Sequence, residues 1–168
     1  MHLQLSEEQQ FIKATARRFS TDELFPIAAQ LDIGQGRALL LANLQKLGDL
    51  GFMGLNISAE YGGTEAGSVA FSVALTELGR ACASTAVTVS VTNMVCEVIQ
   101  ACGTEQQKQN YLPKLCSGEY PAGGFCLTES VAGSDPAGMK TRAVKEGDSW
   151  VVNGTKLYIT SAKYAGLF

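Results

Sequence analysis

Residues 125–135, FCLTESVAGSD, mark the point where the chain changes character. Phe125 to Leu127 form an apolar start that is typical of a buried strand end. Gly133 allows a positive φ or a close approach to a bound group. Ser134 adds a hydroxyl beside main-chain amides that can converge on an anion. Many surface turns share these features, so these residues alone give only a weak indication of a phosphate-binding turn.

Downstream of this stretch, the sequence predicts short strands. Residues 121–128 predict one strand, and residues 139–145 and 150–152 alternate in polarity as strands do. The dipeptide 153–154, Asn-Gly, is a strong hairpin signal, and it predicts a hairpin that joins Val151-Val152 to residues 157–159. Residues 119–168 are therefore expected to begin a β-domain.

That β-domain is expected to be incomplete. Three or four short strands with exposed edges make a poor free-standing sheet. The last residues also carry large apolar side chains with no following element to pack against: Tyr158, Ile159, Tyr164, Leu167 and Phe168. We therefore expect the chain to be the N-terminal piece of a larger protein, truncated inside a β-domain.

Upstream, residues 1–118 are predicted to form an all-α helical domain, which makes the fold class α+β. Ser6 is a good N-cap with Gln9 at the capping-box position, and the helix is expected to reach about Pro26. Residues 37–50 predict a second helix. Residues 51–63 carry four glycines and predict a long ordered loop.

The second half of the helical domain is almost uncharged. Residues 66–82 predict a helix whose inward-facing side chains are Val69, Val73, Leu75 and Leu78. The next element, to about Ala101, is rich in β-branched residues and fits a strand by propensity, but its length favours a helix buried in a larger assembly. Thr104 with Gln107 predicts a last helix that ends near Gly118.

Composition limits the possible functions. Charged residues make up 17%, below the usual level of about 25%, which suggests surface hidden by self-association or by a missing part. The net charge of −3 argues against nucleic-acid binding. No apolar run reaches the roughly 18 residues of a membrane span. His2 is the only histidine, so histidine catalysis is not expected.

The cysteines indicate a reducing compartment. They show no metal-ligand spacing and no paired motif, and their number is odd. The five are Cys82, Cys96, Cys102, Cys116 and Cys126. We therefore expect mostly buried free thiols, no metal site and a cytoplasmic protein.

Several motifs together resemble the flavin-dependent acyl-CoA dehydrogenase family. They are FCLTESVAGSD, WVVNGTKLYITSA, EYGG and GTEQQKQNYLPKLCSGE, and they occur in the family's order over essentially the whole chain. The resemblance implies an N-terminal helical domain, a β-barrel-like middle domain and a C-terminal four-helix bundle. This chain would supply the first domain and the opening strands of the second.

The resemblance also implies an FAD site. The backbone from Phe125 to Thr128 and the Thr128 hydroxyl would hydrogen-bond the isoalloxazine ring, with Gly133 and Ser134 at the pyrophosphate. Tyr158 would cover one face of the ring, and Thr160 would reach its redox-active nitrogen. The implied cofactor-binding residues are Phe125, Cys126, Leu127, Thr128, Gly133, Ser134, Tyr158, Ile159 and Thr160.

Each of these residues singly also fits an ordinary strand or turn role. Two motifs in the family's order favour the flavin interpretation. Two positions depart from the family pattern: Ser130 replaces a usual proline, and Tyr158 replaces a common tryptophan. Ser134 would also lie along the acyl-CoA, and Ser90 is a weaker candidate for the floor of the acyl tunnel.

The family reaction oxidises acyl-CoA to 2-enoyl-CoA and passes electrons to an electron-transfer flavoprotein. Its base is a glutamate from the C-terminal part, so no catalytic residue is assigned here, and Glu97 and Glu129 are not assigned that role. The isolated chain is expected to be inactive, and the full-length form to be a dimer or tetramer.

Two alternatives stay open. One is an acyl-CoA oxidase-like enzyme that uses oxygen, and the other is a non-catalytic helical module that self-associates. The sequence does not specify the acyl chain length or the electron acceptor.

Overall fold

The computed structural model describes residues 4–168, so the expectation about His2 lies outside the described residues. The helices in the described range are α1 (Glu7–Phe19), α2 (Ala28–Asp32), α3 (Arg37–Asp49), α4 (Gly67–Ala81), α5 (Ala83–Cys102) and α6 (Glu105–Cys116). The strands are β1 (Arg142–Glu146) and β2 (Ser149–Asn153), which pair antiparallel. The predicted α+β class with helices first is confirmed.

Two capping boxes fix helix starts where the sequence predicts them. The Ser6 hydroxyl accepts from the Gln9 amide at 3.2 Å, and the Gln9 side chain accepts from the Ser6 amide at 3.0 Å. Thr104 and Gln107 make the same reciprocal pair at the start of α6. α1 continues through a π-helical turn, Ser20–Leu24, close to the predicted end.

α4 packs on α1 through small side chains rather than through its valines. Ala70, Ala74 and Leu78 are fully buried, whereas Val69 is 53% exposed. The prediction that Val69 faces inward is therefore wrong, and that for Leu78 is confirmed. Alanines on this face let the two helix backbones approach closely, which leaves Val69 on the outer side.

A buried carboxylate joins the same two helices. Glu77 accepts two hydrogen bonds from Arg17, at 2.8 and 3.0 Å, and one from Arg80 at 3.0 Å. The paired Arg17 guanidinium holds the pKa of Glu77 below its ordinary value, against the opposing effect of burial. The Ser20 hydroxyl donates to the Glu77 carbonyl, so α1, the π-helical turn and α4 meet at one residue.

α5 is a helix and lies at the centre of the domain. Its buried side contributes Val89 to one apolar cluster and Val95 and Cys96 to a second. Asn93 on the same side accepts from the Leu55 amide at 2.7 Å and donates to the Phe52 carbonyl, which holds the loop after α3.

The sequence predicts that α5 is buried in a larger assembly, and this chain by itself covers only its inner side. Val87, Met94 and Val98 lie on its outer side and stay 38–49% exposed. α5 is long and apolar enough to cross a membrane. Core helices of globular proteins share this length and composition, so these two properties do not indicate a membrane span. The inner side of α5 belongs to both apolar clusters, so in this fold α5 is the core helix of the domain.

The β-segments differ from the predictions in two ways. Residues 121–128 form no strand ladder: Gly123 makes a single parallel bridge with Leu167, and the Leu127 amide turns back to the Phe125 carbonyl at 3.2 Å. The hairpin joins β1 to β2 through a loop at Gly147-Asp148 instead of joining β2 to residues 157–159. Both predictions are wrong as stated.

The conformations of Gly147 and Gly154 explain why the hairpin loop lies at 147–148 and not at 153–154. Gly147 has φ +60°, which suits the first position of a two-residue hairpin loop. Gly154 has no positive φ and instead lies beyond the last pair of the ladder, where a Cβ would collide with the Thr141 side chain. The Asn153-Gly154 signal therefore reflects close packing, not a turn.

The thiols agree with the sequence expectation. All five cysteines are free, and Cys82, Cys96 and Cys116 are buried while Cys102 and Cys126 are exposed.

Candidate functional site

The two sequence motifs come together in space. The Leu157 amide donates to the Thr128 carbonyl at 2.9 Å, and the Lys156 ammonium donates to the Leu127 carbonyl at 2.9 Å. A side chain at Gly124 would touch a methyl group of Ile159 and the ring of Phe168. Residues 125–134 (the first segment) and 156–160 (the second segment) therefore lie side by side.

Hydroxyl groups of α5 hold both ends of this arrangement. The Thr92 hydroxyl accepts from the Gly123 amide at 3.1 Å, just before the first segment. The Thr88 hydroxyl lies 3.1 Å from the Tyr164 hydroxyl, which accepts from Ser161 directly after the second segment. The buried polar side of α5 therefore positions the candidate site as well as the helical core.

The predicted site residues form a partly exposed surface. Thr128, Ile159 and Thr160 are half-buried, and Tyr158 is 92% exposed. The other members are exposed: Phe125, Cys126, Leu127, Gly133 and Ser134. Within the described chain no hydrogen bond connects the half-buried Ser90 on α5 to either segment.

Gly133 differs from the sequence expectation in one respect. Its φ is not positive, and a Cβ there would meet nothing within 4 Å. Nothing in the described chain therefore requires glycine at this position. Of the two reasons for a glycine given by the sequence, positive φ is excluded, and close approach of a bound group is left.

Backbone donors on this surface lack protein acceptors. Across residues 4–168, the amides of Cys126, Thr128, Gly133 and Ser134 make no hydrogen bond to another protein group, and neither do those of residues 158–160. The Thr128 and Thr160 hydroxyls also have no protein partner there. A ligand with many acceptor atoms would satisfy such a surface.

Two of the three non-glycine residues with positive φ in the described chain lie in or next to the second segment. Tyr158 has φ +55° and Ser161 has φ +64°, a conformation that costs a non-glycine residue about 1–3 kcal/mol. The two residues bracket Ile159 and Thr160 and turn the chain sharply there. The turn explains why residues 157–159 form no strand.

Glu129 organises the junction, a role that the sequence analysis missed. Its carboxylate accepts from the Lys156 ammonium at 2.8 Å and from the amides of Lys140 and Thr141 at 2.6 and 3.0 Å. These donors, with Lys156 contributing most, lower the pKa of Glu129 to about 2. The only sequence signal was an acidic residue inside an otherwise apolar and small-residue motif.

An apolar pocket adjoins the first segment. It encloses about 280 Å³ and is lined on one side by Phe125 and Cys126 and on the other by α5 and the chain end. In the described part of the chain, no group of histidine, cysteine and carboxylate side chains has the arrangement of a metal site. The site is therefore one of backbone donors, hydroxyls and apolar surface.

The chain matches two family models. Residues 6–119 match the N-terminal domain of acyl-CoA dehydrogenase, and residues 124–168 match the middle domain. Together the two matches include both segments of the candidate site.

Individual relatives agree with this result. The short-chain specific acyl-CoA dehydrogenase of Clostridium acetobutylicum is 38% identical over 100% of this chain and 44% of its own length. The acryloyl-CoA reductase (NADH) of Anaerotignum propionicum is 34% identical over 99% of this chain and 42% of its own length.

A solved structure is similar over the same range. Butyryl-CoA dehydrogenase from Megasphaera elsdenii superposes with a TM-score of 0.86 at 31% identity, covering 98% of this chain and 44% of that protein. The chain thus spans less than half the length of the relatives that it matches. It belongs to the acyl-CoA dehydrogenase family, and its residues match the N-terminal and middle domains of that family.

Proposed function

We propose that this chain is the N-terminal portion of an FAD-dependent acyl-CoA dehydrogenase that oxidises acyl-CoA to 2-enoyl-CoA. The observation that carries the proposal is the contact between the two candidate flavin segments, made by the Leu157 amide and the Thr128 carbonyl at 2.9 Å. Residues that the resemblance assigns to one cofactor lie on one surface, although Lys156 follows Thr128 by 28 positions in the sequence. We also propose that the two domains meet near residue 118.

The residues present fit FAD. Unpartnered amides offer donors to the ring and to phosphate oxygens; they are those of Cys126, Thr128, Gly133, Ser134 and residues 158–160. Tyr158 is free to lie along a ring face, because its side chain is 92% exposed in the described chain. The site therefore combines donors and an aromatic surface, and its two opposite charges, Glu129 and Lys156, are paired with each other.

Individual residues have separate roles in the proposed reaction. When bound, FAD would accept the hydride from the β-carbon of the acyl-CoA. The Thr128 and Thr160 hydroxyls would donate to ring atoms whose negative charge increases during the reaction. Ser134 would contact both the pyrophosphate and the passing acyl-CoA, and Ser90 would contact the acyl chain.

Neither glutamate considered earlier is assigned as the base. Glu129 is committed to Lys156 and two amides, and its pKa of about 2 makes it a weak proton acceptor. Glu97 is exposed and accepts from the Asn56 side chain at 2.7 Å. We propose that the base comes from another part of the protein and that the isolated chain is inactive.

The names of the relatives support a coenzyme A thioester as the substrate. Acyl-CoA, butyryl-CoA, glutaryl-CoA and acryloyl-CoA each appear in one of them. We further propose an electron-transfer flavoprotein as acceptor, a homo-oligomeric full-length form and a cytoplasmic location, the last because all five thiols are free.

FAD titration of the 168-residue chain tests the proposal. We expect saturable quenching of flavin fluorescence, weakened about tenfold by Thr160→Val, because one donor to the ring is lost. Thr155→Val is the matched control, since Thr155 is exposed and outside both segments. Absence of saturable binding, or equal affinity in all three proteins, would contradict the proposed site.

A second candidate function is self-association of a non-catalytic helical module. The outer side of α5 favours it, because Val87, Met94 and Val98 form an exposed apolar row. Size-exclusion chromatography with light scattering separates the two functions. A well-folded oligomer that takes up no FAD would favour the module.

A further inference from the structure

We propose that Glu129 and Lys156 act as positioning residues that set the relative position of the two segments of the candidate flavin site. The inference rests on the proposed function for its role in flavin binding. The contacts that carry it are hydrogen bonds between residues of the two segments. We call these two residues the Glu129–Lys156 pair.

The carboxylate of Glu129 is nearly saturated with donors. It accepts from the Lys140 amide at 2.6 Å, the Thr141 amide at 3.0 Å and the Lys156 ammonium at 2.8 Å. Its side chain is only 5% exposed. Glu129 therefore ties the first segment to the chain that enters β1, and charge-assisted bonds of this kind are the stronger class.

Lys156 links the second segment to the first. Its ammonium lies between the Glu129 carboxylate and the Leu127 carbonyl, at 2.8 and 2.9 Å, with its side chain 19% exposed. A third neighbour, the Met139 sulfur, lies at 3.3 Å. One cation thus contacts residues on both sides of Thr128 in sequence.

The consequence for Thr128 is direct. Leu127, Thr128 and Glu129 are each bonded to Lys156 or Leu157, so three consecutive residues of the first segment are fixed against two of the second. The Thr128 amide and hydroxyl keep no protein partner in the described chain. The Glu129–Lys156 pair therefore orients these donors without competing for them.

A simple ion pair and a positioning pair predict different results for exchanged charges. In Glu129→Lys with Lys156→Glu the two charges still attract. However, no carboxylate remains at position 129 to accept the Lys140 and Thr141 amides. Restored behaviour in the exchanged variant would indicate charge pairing alone, whereas a defect as large as in Lys156→Met would indicate that the geometry at Glu129 is required.

Hydrogen exchange of the 168-residue chain without flavin is the first test. We expect Lys156→Met and Glu129→Gln to speed exchange at the Leu157 amide and at residues 140–141 by about tenfold, the factor for loss of one charged hydrogen bond. Lys46→Met is the matched control, since Lys46 makes an equally short but exposed pair with Glu23 at 2.7 Å. Unchanged exchange at these amides in both variants would overturn the inference.

FAD binding and the visible absorption spectrum are the second test. We expect about tenfold weaker binding and an altered band shape in Lys156→Met, with partial recovery in Lys156→Arg, which keeps a cation. Wild-type affinity and spectrum in Lys156→Met would overturn the positioning role. A wild-type chain that binds no FAD, with faster exchange in Lys156→Met, would overturn the proposed function but support the pair as the organiser of the two segments.

Discussion

Two carboxylates are buried among residues 4–168, and each is satisfied by a different kind of donor. Glu77 is paired with the guanidinium groups of Arg17 and Arg80 and joins two helices. Glu129 is bonded to two backbone amides and to Lys156, and joins segments of irregular backbone. Protonation of Glu77 should therefore destabilise the packing of the two helices, whereas protonation of Glu129 should destabilise the junction of the irregular segments.

Acid should weaken the Glu129 junction in a defined pH range. The pKa of Glu129 is about 2 in the folded chain, below its ordinary value of 4.5, so its stabilising contribution is complete above about pH 4.5 and is lost as the pH falls toward 2. We expect the stability difference between wild type and Glu129→Gln to shrink over this range. Urea unfolding at a series of pH values measures it, and a difference independent of pH would contradict the assignment.

The role of Glu129 was beyond local sequence analysis for a physical reason. Its three donors come from positions 140, 141 and 156, and no spacing rule relates them to position 129. The resemblance, in contrast, assigned Thr128 and Tyr158 to one flavin site, which implied that the two motifs lie close together. Residue roles that depend on long-range contacts appear only when the chain is folded.

At the scale of single elements, the N-cap hydrogen bonds of the helices contribute to the stability of the fold. Thr104→Ala should lower the free energy of unfolding by about 1 kcal/mol, because it leaves the Gln107 amide without its cap. Urea denaturation followed by circular dichroism measures the change.

Thr76→Ala is the control for this prediction. Thr76 is exposed inside α4 and its hydroxyl bonds the Ser72 carbonyl, so the better helix propensity of alanine should leave stability unchanged or raise it by up to about 0.5 kcal/mol. A loss as large as that of Thr104→Ala would show that capping is not the cause.

Elements with local signals were predictable, and those specified by pairing were not. The capping boxes placed α1 and α6, and the length of its apolar run favoured α5 as a helix despite its β-branched residues. The hairpin was misplaced because 147–148 and 153–154 both contain glycine turn signals. The choice between them depends on Gly154 packing against Thr141, which is a tertiary contact.

The whole helical domain depends on two apolar clusters that share α5. Leu78 belongs to one cluster and Leu112 to the other, and both are fully buried. We expect Leu78→Ala to lower the free energy of unfolding by about 2–5 kcal/mol, because it opens a cavity in a packed core.

Val69→Ala is the matched control in the same helix. Val69 is 53% exposed, so its truncation should change the free energy of unfolding by no more than about 0.5 kcal/mol. Chemical denaturation of the three proteins makes the comparison, and equal losses in the two variants would contradict the observed orientation of α4.

The β1–β2 ribbon and the helical domain give separate spectroscopic signals, because the tryptophan lies in the ribbon. Trp150 is the only tryptophan in the sequence, it is 63% exposed on β2, and every residue of both strands is exposed. Its emission therefore reports the ribbon, while the far-ultraviolet dichroism reports mainly α1–α6. Comparing the two signals in one denaturation experiment distinguishes unfolding of the ribbon from unfolding of the helical domain. No attached label is needed.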